Sequence, residues 1–196
     1  LHHTLGQGGF TDYLDMSRHV TCRQVLLDES NAAREIDKAI YQCWFEKRPV
    51  YIGLPTDVVG KETGVTNLEP LAFEYPESNP DAIEELLFRL DRHLQGARQP
   101  VILADIKAKR HGMGPMIREL AEKSGIPIAT LNMGKGIIDE SHPLYVGMYS
   151  GELSDEAVRT YVESSDTVIC FGSLLSDLNT GGFSTQYNLN QTMEIQ

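Results

Sequence analysis

The strongest constraint on the fold is an alternation of short apolar runs with amphipathic segments, which occupies the chain from Asn79 onward. The runs "PVILAD", "IPIATL" and "TVICFGS" are rich in β-branched and other apolar residues, so they predict buried strands. The segments between them place apolar residues at helical spacing. Because short turns join the strands to the helices, this order predicts an α/β fold with a doubly wound parallel sheet.

The expected helix boundaries follow from capping residues. Asn79 can cap a first helix that has Pro80 at its first position, and Gly96 is expected to end that helix in a left-handed cap. A second helix, in "GPMIRELAEKSG", is expected to end at Gly125, and a third to begin at Ser154. The final "TMEIQ" predicts one more strand. The apolar stripe of the first helix consists of Ile83, Leu86, Leu87, Leu90 and Leu94.

The front of the chain shows a shorter version of the pattern. A helical segment from Ser30 is followed by "VYIGLP", which predicts another buried strand. The residues from about Val58 to Asn79 then combine Gly, Pro and acidic side chains without any period, which predicts a linker.

Charge and composition exclude several classes of partner. The chain has 196 residues and a net charge of -11, which disfavours nucleic acid because phosphate binding requires basic patches. Its longest basic cluster, "KAKRH" at residues 107–111, is expected to be a solvated loop, and no apolar run approaches the ~20 residues of a membrane span. The three cysteines have no metal-ligand spacing, so a reducing, cytoplasmic location is expected.

The loops after the strands contain few chemical signals. The glycine-rich segments "GKG" and "TGGF" match no phosphate-binding loop and are typical of tight turns. A zinc site at His142 beside Asp139 and Glu140 is conceivable, but a loop histidine near solvated acids is the favoured interpretation. The adjacent His2 and His3 could transfer protons near neutral pH, but by themselves they are more typical of an ordinary loop.

The segment "LHHTLGQGGF" is similar to the "LHHTLGxGDF" segment of the thiamin-diphosphate-dependent 2-oxo acid decarboxylases, the pyruvate and indolepyruvate decarboxylase family. The segments "KRPVYIGLPTDVV", "PVILAD", "MGKGIIDESHPLYVGMYSGELS" and "GSLLSDLNTGGFS" also resemble that family, in its order and spacing. The resemblance covers essentially the whole chain, which is therefore expected to be an internal fragment of such an enzyme.

The resemblance implies a domain organisation. Residues 1–66 would be the C-terminal part of the pyrimidine-binding domain, residues 67–77 a linker, and residues 78–196 a truncated, Rossmann-like central domain. Thiamin diphosphate and Mg²⁺ would be the cofactors, and their diphosphate and metal ligands would lie outside this chain. The 196 residues alone are therefore expected to be inactive, and the full-length protein is expected to be a homo-oligomer, a dimer or a tetramer.

The resemblance also assigns a function and site residues. The implied reaction is the conversion of pyruvate to acetaldehyde and CO₂, a carboxy-lyase reaction in which thiamin diphosphate accepts electrons that no side chain can accept. His2 and His3 would be the catalytic residues that handle protons, and Leu178 and Thr180 would line the substrate pocket.

Departures from the family pattern leave the substrate open. The acid of "GDF" is replaced by Gly9, and Ile106–Lys107–Ala108 stands where yeast-type enzymes carry a cysteine pair linked to substrate activation. Leu178 replaces a frequent aromatic residue, so branched-chain or aromatic 2-oxo acids are alternatives to pyruvate. Further alternatives are an acetolactate-synthase-like enzyme with FAD against its middle domain and a non-enzymatic scaffold domain.

Overall fold

The computed structural model describes residues 6–64 and 69–196 of the chain. Within this part, the chain divides into two compact units, Leu1–Glu77 and Ser78–Gln196. The two units are described separately below.

The first unit pairs two strands and two helices. Its elements are α1 (Asp12–Ser17), β1 (Arg23–Leu26), α2 (Ala32–Glu46) and β2 (Val50–Gly53). The strands β1 and β2 are parallel, with Val25 opposite Ile52. A small core forms because α2 packs Ala39 against Val25 and Leu27.

Aromatic rings cover the C-terminal end of α2. The Trp44 ring lies 5.3 Å from the Phe73 ring and 4.5 Å from the Tyr75 ring, measured between centroids. Lys47, in a left-handed conformation after the last turn, places its Nζ 4.4 Å from the centre of the Trp44 ring, within cation–π range. Part of the segment predicted as a linker thus packs on α2, while the domain boundaries at residues 66 and 78 stay predictions.

The second unit is a five-stranded parallel sheet with helices on its faces. The strand order is β5-β4-β3-β6-β7, and every pair of neighbours is parallel. This order confirms the predicted doubly wound, Rossmann-like α/β fold. The strands are β3 (Pro100–Ala104), β4 (Ile128–Leu131), β5 (Tyr145–Tyr149), β6 (Thr167–Phe171) and β7 (Thr192–Ile195), and the helices are α3 (Pro80–Leu94), α4 (Ile106–Arg110), α5 (Gly114–Ser124) and α6 (Glu156–Glu163).

Both faces of this sheet are buried, which explains why its strands read as continuous apolar runs. On one face, Ile102, Ile128 and Ile169 of the strands form a core with Ile117 of α5. On the other face, Leu103 and Cys170 belong to a second core that includes Val158 and Val162 of α6. Side chains alternate between the two faces along a strand, so β3, β4 and β6 each contribute to both cores.

Several predicted boundaries are confirmed. The side chain of Asn79 accepts a hydrogen bond from the Asp81 amide and caps α3, with Pro80 at the first helical position. Gly125 ends α5 with φ 72°, a left-handed conformation that glycine adopts without steric cost. The strand predicted at "TMEIQ" is β7.

Other predictions at helix ends were wrong. Asp155 caps α6 in place of Ser154, because the Ser154 hydroxyl accepts from the Ser150 amide in the preceding turn. The residue after α3 is Gln95 with φ -58°, so Gly96 does not form a left-handed cap. The first half of the α3 stripe is also exposed: Ile83 is 43% and Leu87 57% accessible, whereas Leu90 and Leu94 pack against the core.

Two elements differ from what the sequence predicted. The basic cluster at residues 107–111 lies mostly in the short helix α4, where Ala108 is buried against the sheet. The strand β5 was not predicted from the sequence, because Gly147 interrupts the apolar pattern of this segment. Gly147 has φ 139°, and a Cβ there would lie 2.5 Å from a methyl carbon of Val158, so α6 packs closely on this strand.

No helix in residues 6–64 and 69–196 is long and apolar enough to cross a membrane.

Candidate functional site

The candidate site lies at the carboxyl ends of the parallel strands, where doubly wound sheets usually bind ligands. The connection from β6 to β7 crosses this edge, and we call its residues 174–186 the capping loop. The loop contains Leu178 and Thr180, the two residues predicted to line a substrate pocket.

A buried polar pair attaches the capping loop to the sheet. Asp105, the residue after β3, accepts hydrogen bonds at Oδ2 from the Leu174 amide and from Asn179 Nδ2, both at 2.7 Å. Asn179 Oδ1 accepts from the Met133 amide at 2.7 Å, in the turn after β4. Because Asp105 and Asn179 are completely buried, neither side chain can exchange these bonds for water.

Two glycines bring the loop onto the turn after β5. A Cβ at Gly181 would lie 2.1 Å from the Ser150 carbonyl oxygen, and a Cβ at Gly151 would lie 2.3 Å from Ser184 Oγ. Ser184 Oγ also accepts a hydrogen bond from the Glu152 amide at 2.9 Å. The capping loop is therefore in direct backbone contact with this turn, at a distance that a larger residue would prevent.

The Thr180 hydroxyl forms its hydrogen bonds within the capping loop. Its Oγ1 donates to the Ser176 carbonyl at 2.7 Å and accepts from the Phe183 amide at 3.0 Å, and the residue is 2% exposed. Phe183 has φ 63°, a conformation that is uncommon for a bulky residue. The Thr180 hydroxyl thus shapes the loop, and its predicted position in a substrate pocket stays a prediction.

The outer surface of the loop is apolar. Leu178 is 67% and Phe183 68% exposed, and Leu175 is also largely exposed. Single exposed apolar side chains are ordinary, but several on one anchored loop indicate a surface that can contact an apolar group. Leu178 is accessible, and its predicted place in a substrate pocket stays a prediction.

Burial raises the pKa values of two ionisable groups beneath the capping loop. Desolvation raises the pKa of the Asp105 carboxyl, and the nearby Glu194 carboxylate acts in the same direction. Burial likewise raises the pKa of the Cys170 thiol far above its usual value. A thiol that stays protonated is a poor nucleophile, so Cys170 serves the core.

The predicted catalytic pair, His2 and His3, lies outside the described residues. The segment that follows them contains Gly6 and Gly8, with φ of 87° and 78°. Gly9 lies against Asp12, because a Cβ at Gly9 would be 2.6 Å from Asp12 Oδ1. The carboxylate of Asp12 therefore approaches the backbone at the position where the family pattern has an acid.

A cavity of about 660 Å³ lies in the first unit, at the carboxyl ends of β1 and β2. Its lining includes Phe10 and Tyr13 from the segment after the histidines, and Tyr51 and Leu54 at the end of β2. These side chains make the cavity mainly aromatic and apolar, with Thr56 and Asp57 as its polar members.

The described residues bring no cluster of metal-binding side chains together. No group of three His, Cys, Asp or Glu side chains in residues 6–64 and 69–196 converges closely enough to bind a metal ion. His142 Nδ1 accepts from the Leu144 amide, so its Nε2 carries the proton and donates to Glu122 at 3.2 Å. Asp139 instead accepts from the amide and hydroxyl of Ser141. The residues around His142 are therefore engaged in local hydrogen bonds.

Sequence reasoning missed Asp105 and Asn179, and it missed the close approach of Gly181 to Ser150 and of Gly151 to Ser184. The position of Asp105, directly after an apolar strand, was the available signal, because such residues lie at the functional edge of a parallel sheet. Asn179 gave no such signal, since its partners are remote in sequence.

Comparison with known proteins identifies similar chains. The family described as "Thiamine pyrophosphate enzyme, central domain" matches residues 89–196. A pyruvate decarboxylase of Aspergillus terreus is 41% identical over 197 residues, covering 100% of this chain and 34% of the relative. A pyruvate decarboxylase of Kluyveromyces lactis and pyruvate decarboxylase isozyme 2 of Saccharomyces cerevisiae are each 38% identical over 197 residues, covering 100% of this chain and 35% of the relative. The chain thus spans about a third of the length of these relatives.

Proposed function

Because the chain belongs to the thiamine pyrophosphate enzymes through their central domain, we propose that it is part of a non-oxidative 2-oxo acid decarboxylase. The proposed reaction converts pyruvate to acetaldehyde and CO₂. The observation that carries the proposal is the 38–41% identity to pyruvate decarboxylases, which extends over the whole chain.

Thiamin diphosphate is the family's cofactor and supplies an electron sink for the carbon that loses CO₂. The described residues of this chain provide no metal cluster, so we propose that the diphosphate and Mg²⁺ bind to other parts of the full-length protein. No step of the reaction is therefore assigned to side chains around a cofactor within residues 6–64 and 69–196.

We assign proton transfer to His2 and His3. An imidazole exchanges protons near neutral pH, and release of an aldehyde requires a proton at the carbon that carried the carboxylate. The glycines that follow the pair adopt positive φ angles at Gly6 and Gly8, which allows a tight turn after it.

Pyruvate is the leading substrate, and branched-chain or aromatic 2-oxo acids are the second candidates. The exposed Leu178, smaller than an aromatic residue, favours room for a longer side chain. Such differences in pocket size change preference by only ~1–3 kcal/mol, so one enzyme can accept several of these acids.

An acetolactate-synthase-like enzyme is less well supported. In this fold a nucleotide such as FAD would be expected in the crevice at the carboxyl edge of the sheet. The buried side chains of Asn179 and Thr180 occupy that position at β3, β4 and β6, which argues against a bound flavin there. A yellow colour from bound flavin in the purified full-length protein would favour this alternative, whereas a colourless protein favours the decarboxylase.

Two further parts of the proposal concern the whole protein. We propose a homo-oligomer, a dimer or a tetramer, because the resemblance implies active sites between subunits. We also propose a cytoplasmic location, which is supported by Cys22, Cys43 and Cys170 all being free thiols.

The test is to purify the full-length protein, add thiamin diphosphate and Mg²⁺, and supply a panel of 2-oxo acids. We expect CO₂ and an aldehyde from at least one of them. Replacing both His2 and His3 with alanine should lower kcat by about 10²–10⁴-fold, while His19→Ala, at an exposed position, should leave it unchanged. An enzyme that decarboxylates none of the acids would contradict the proposal, and an active double variant would remove the pair from the mechanism.

A further inference from the structure

The capping loop combines a buried polar base with an apolar outer surface. Its base consists of Asp105 and Asn179, which are both fully buried and 74 positions apart in the chain. Its outer surface presents Leu178 and Phe183, each about two-thirds exposed. The conformation of the outer surface therefore depends on contacts that lie beneath it.

Asn179 connects three turns through one side chain. Its Oδ1 accepts from the Met133 amide after β4, and its Nδ2 donates to Asp105 Oδ2 after β3 and to the Leu174 carbonyl after β6. Both ends of this amide are thus engaged, and Asp105 Oδ2 accepts a second bond from the Leu174 amide. We call these two side chains the Asp105–Asn179 clip.

The clip adjoins a segment with an uncommon backbone conformation. Phe183 has φ 63°, and its amide donates to Thr180 Oγ1, next to Asn179 in the chain. Residues in sparsely populated backbone conformations persist where the surrounding structure determines them, and they concentrate at functional sites. Thr180, which directly follows the clip residue Asn179, therefore connects the clip to this part of the loop.

Building on the proposed decarboxylase function, we propose that Asp105 and Asn179 are positioning residues for substrate affinity. They hold the capping loop so that Leu178 and Phe183 contact the apolar side chain of the 2-oxo acid. Neither clip residue can itself touch the substrate, because both are completely buried. Loss of either clip residue should therefore raise KM more for acids with branched or aromatic side chains than for pyruvate, whose methyl group offers little surface to the loop.

The experiment measures kcat and KM of the full-length enzyme with pyruvate and with phenylpyruvate. Asn179→Ala and Asp105→Ala should each raise KM for phenylpyruvate by about tenfold and change kcat by less than about threefold, as expected when ground-state binding is lost. Asp105→Asn should stay within about threefold of wild type, because its amide oxygen can accept both hydrogen bonds of Oδ2.

Two control variants separate positioning from general destabilisation. Asn188→Ala makes the same substitution at an exposed position of the β6–β7 connection, outside the capping loop. Val168→Ala removes core packing from β6 without touching the clip. Both should retain the wild-type KM, even where the thermal midpoint falls as far as in Asn179→Ala.

Unchanged KM values in folded Asn179→Ala and Asp105→Ala, or an equal rise in Val168→Ala, would overturn the inference. Should Asn179→Ala not fold, Thr180→Val, which deletes the acceptor for the Phe183 amide at nearly constant volume, must raise KM in the same direction.

A second readout does not depend on activity. Chymotrypsin should cleave Asn179→Ala after Leu178 or Phe183 at least about tenfold faster than wild type, since cleavage follows local opening of the loop. If wild type decarboxylates no 2-oxo acid, the proposed function fails, and the proposed substrate contact fails with it. Faster cleavage in that case would still establish that the clip holds the loop, whereas equal cleavage of both proteins would refute this as well.

Discussion

At the residue scale, Asp105 illustrates how burial changes the role of an acid. A carboxyl at the surface is solvated by water, whereas Asp105 has no exposed surface and accepts two hydrogen bonds at a single oxygen. Its other oxygen, Oδ1, has no hydrogen-bond partner within the described part of the chain. A proton on Oδ1 would leave both bonds of Oδ2 in place.

The raised pKa of Asp105 gives a pH-dependent prediction. The native carboxyl binds its proton more tightly than the unfolded one, so native stability falls as pH rises from about 3.9 through the native pKa. Because asparagine does not titrate, the stability of Asp105→Asn relative to wild type should increase with pH across that window. Urea unfolding at a series of pH values measures the difference.

Asp139→Asn is the control with the opposite sign, because hydrogen bonds from Ser141 lower the pKa of Asp139. Its stability relative to wild type should fall, slightly, as pH rises. A difference between Asp105→Asn and wild type that stays constant with pH would show that Asp105 keeps an ordinary pKa.

At the element scale, the capping loop and the turn after β5 are connected by close backbone contact. Gly181 has φ 60° and lies against the Ser150 carbonyl, while its neighbour Gly182 has φ 72° and open space around it. The two adjacent glycines therefore share a backbone requirement but differ in packing.

This pair allows the packing contribution to be measured. Gly182→Ala should cost about 1–2 kcal/mol, the cost of a left-handed conformation for a residue with a Cβ. Gly181→Ala should cost about 1–3 kcal/mol more, because its Cβ would collide with the Ser150 oxygen. Denaturant titrations measure both losses. If Gly181→Ala and Gly182→Ala lose equal unfolding free energy, the turn after β5 can move to accommodate the added Cβ without strain.

At the scale of the whole molecule, the chain carries the central domain of its family and a preceding α/β unit. It spans about a third of the length of its relatives. The resemblance to the decarboxylase family implies that the diphosphate and metal ligands lie elsewhere in the full-length protein, and this stays a prediction.

The 196-residue chain alone should therefore not bind the cofactor. Calorimetric titration with thiamin diphosphate and Mg²⁺ should give no saturable heat, while the full-length protein should bind under the same conditions. Tight binding by the 196 residues would place the diphosphate site within them and contradict the proposed location.

The sequence by itself determined the local elements of this protein. Asn79, Pro80 and Gly125 mark helix ends through backbone chemistry that acts over a few residues, and the buried strands follow from runs of apolar side chains. The strand β5 could not be predicted because Gly147 interrupts its apolar pattern. A glycine is needed there because Val158, in another element, packs against this position. The sequence around His2 and His3 likewise indicated the family, although both histidines lie outside the described residues.

Only the tertiary structure decided which side chains meet at the carboxyl edge. Asp105 and Asn179 are separated by 74 positions, and no periodicity or capping rule connects residues at that distance. Their pairing results from the order of the strands, which brings the turns after β3, β4 and β6 together. The chemistry of this edge therefore depends on sheet topology, whereas the elements that form the sheet depend on local sequence.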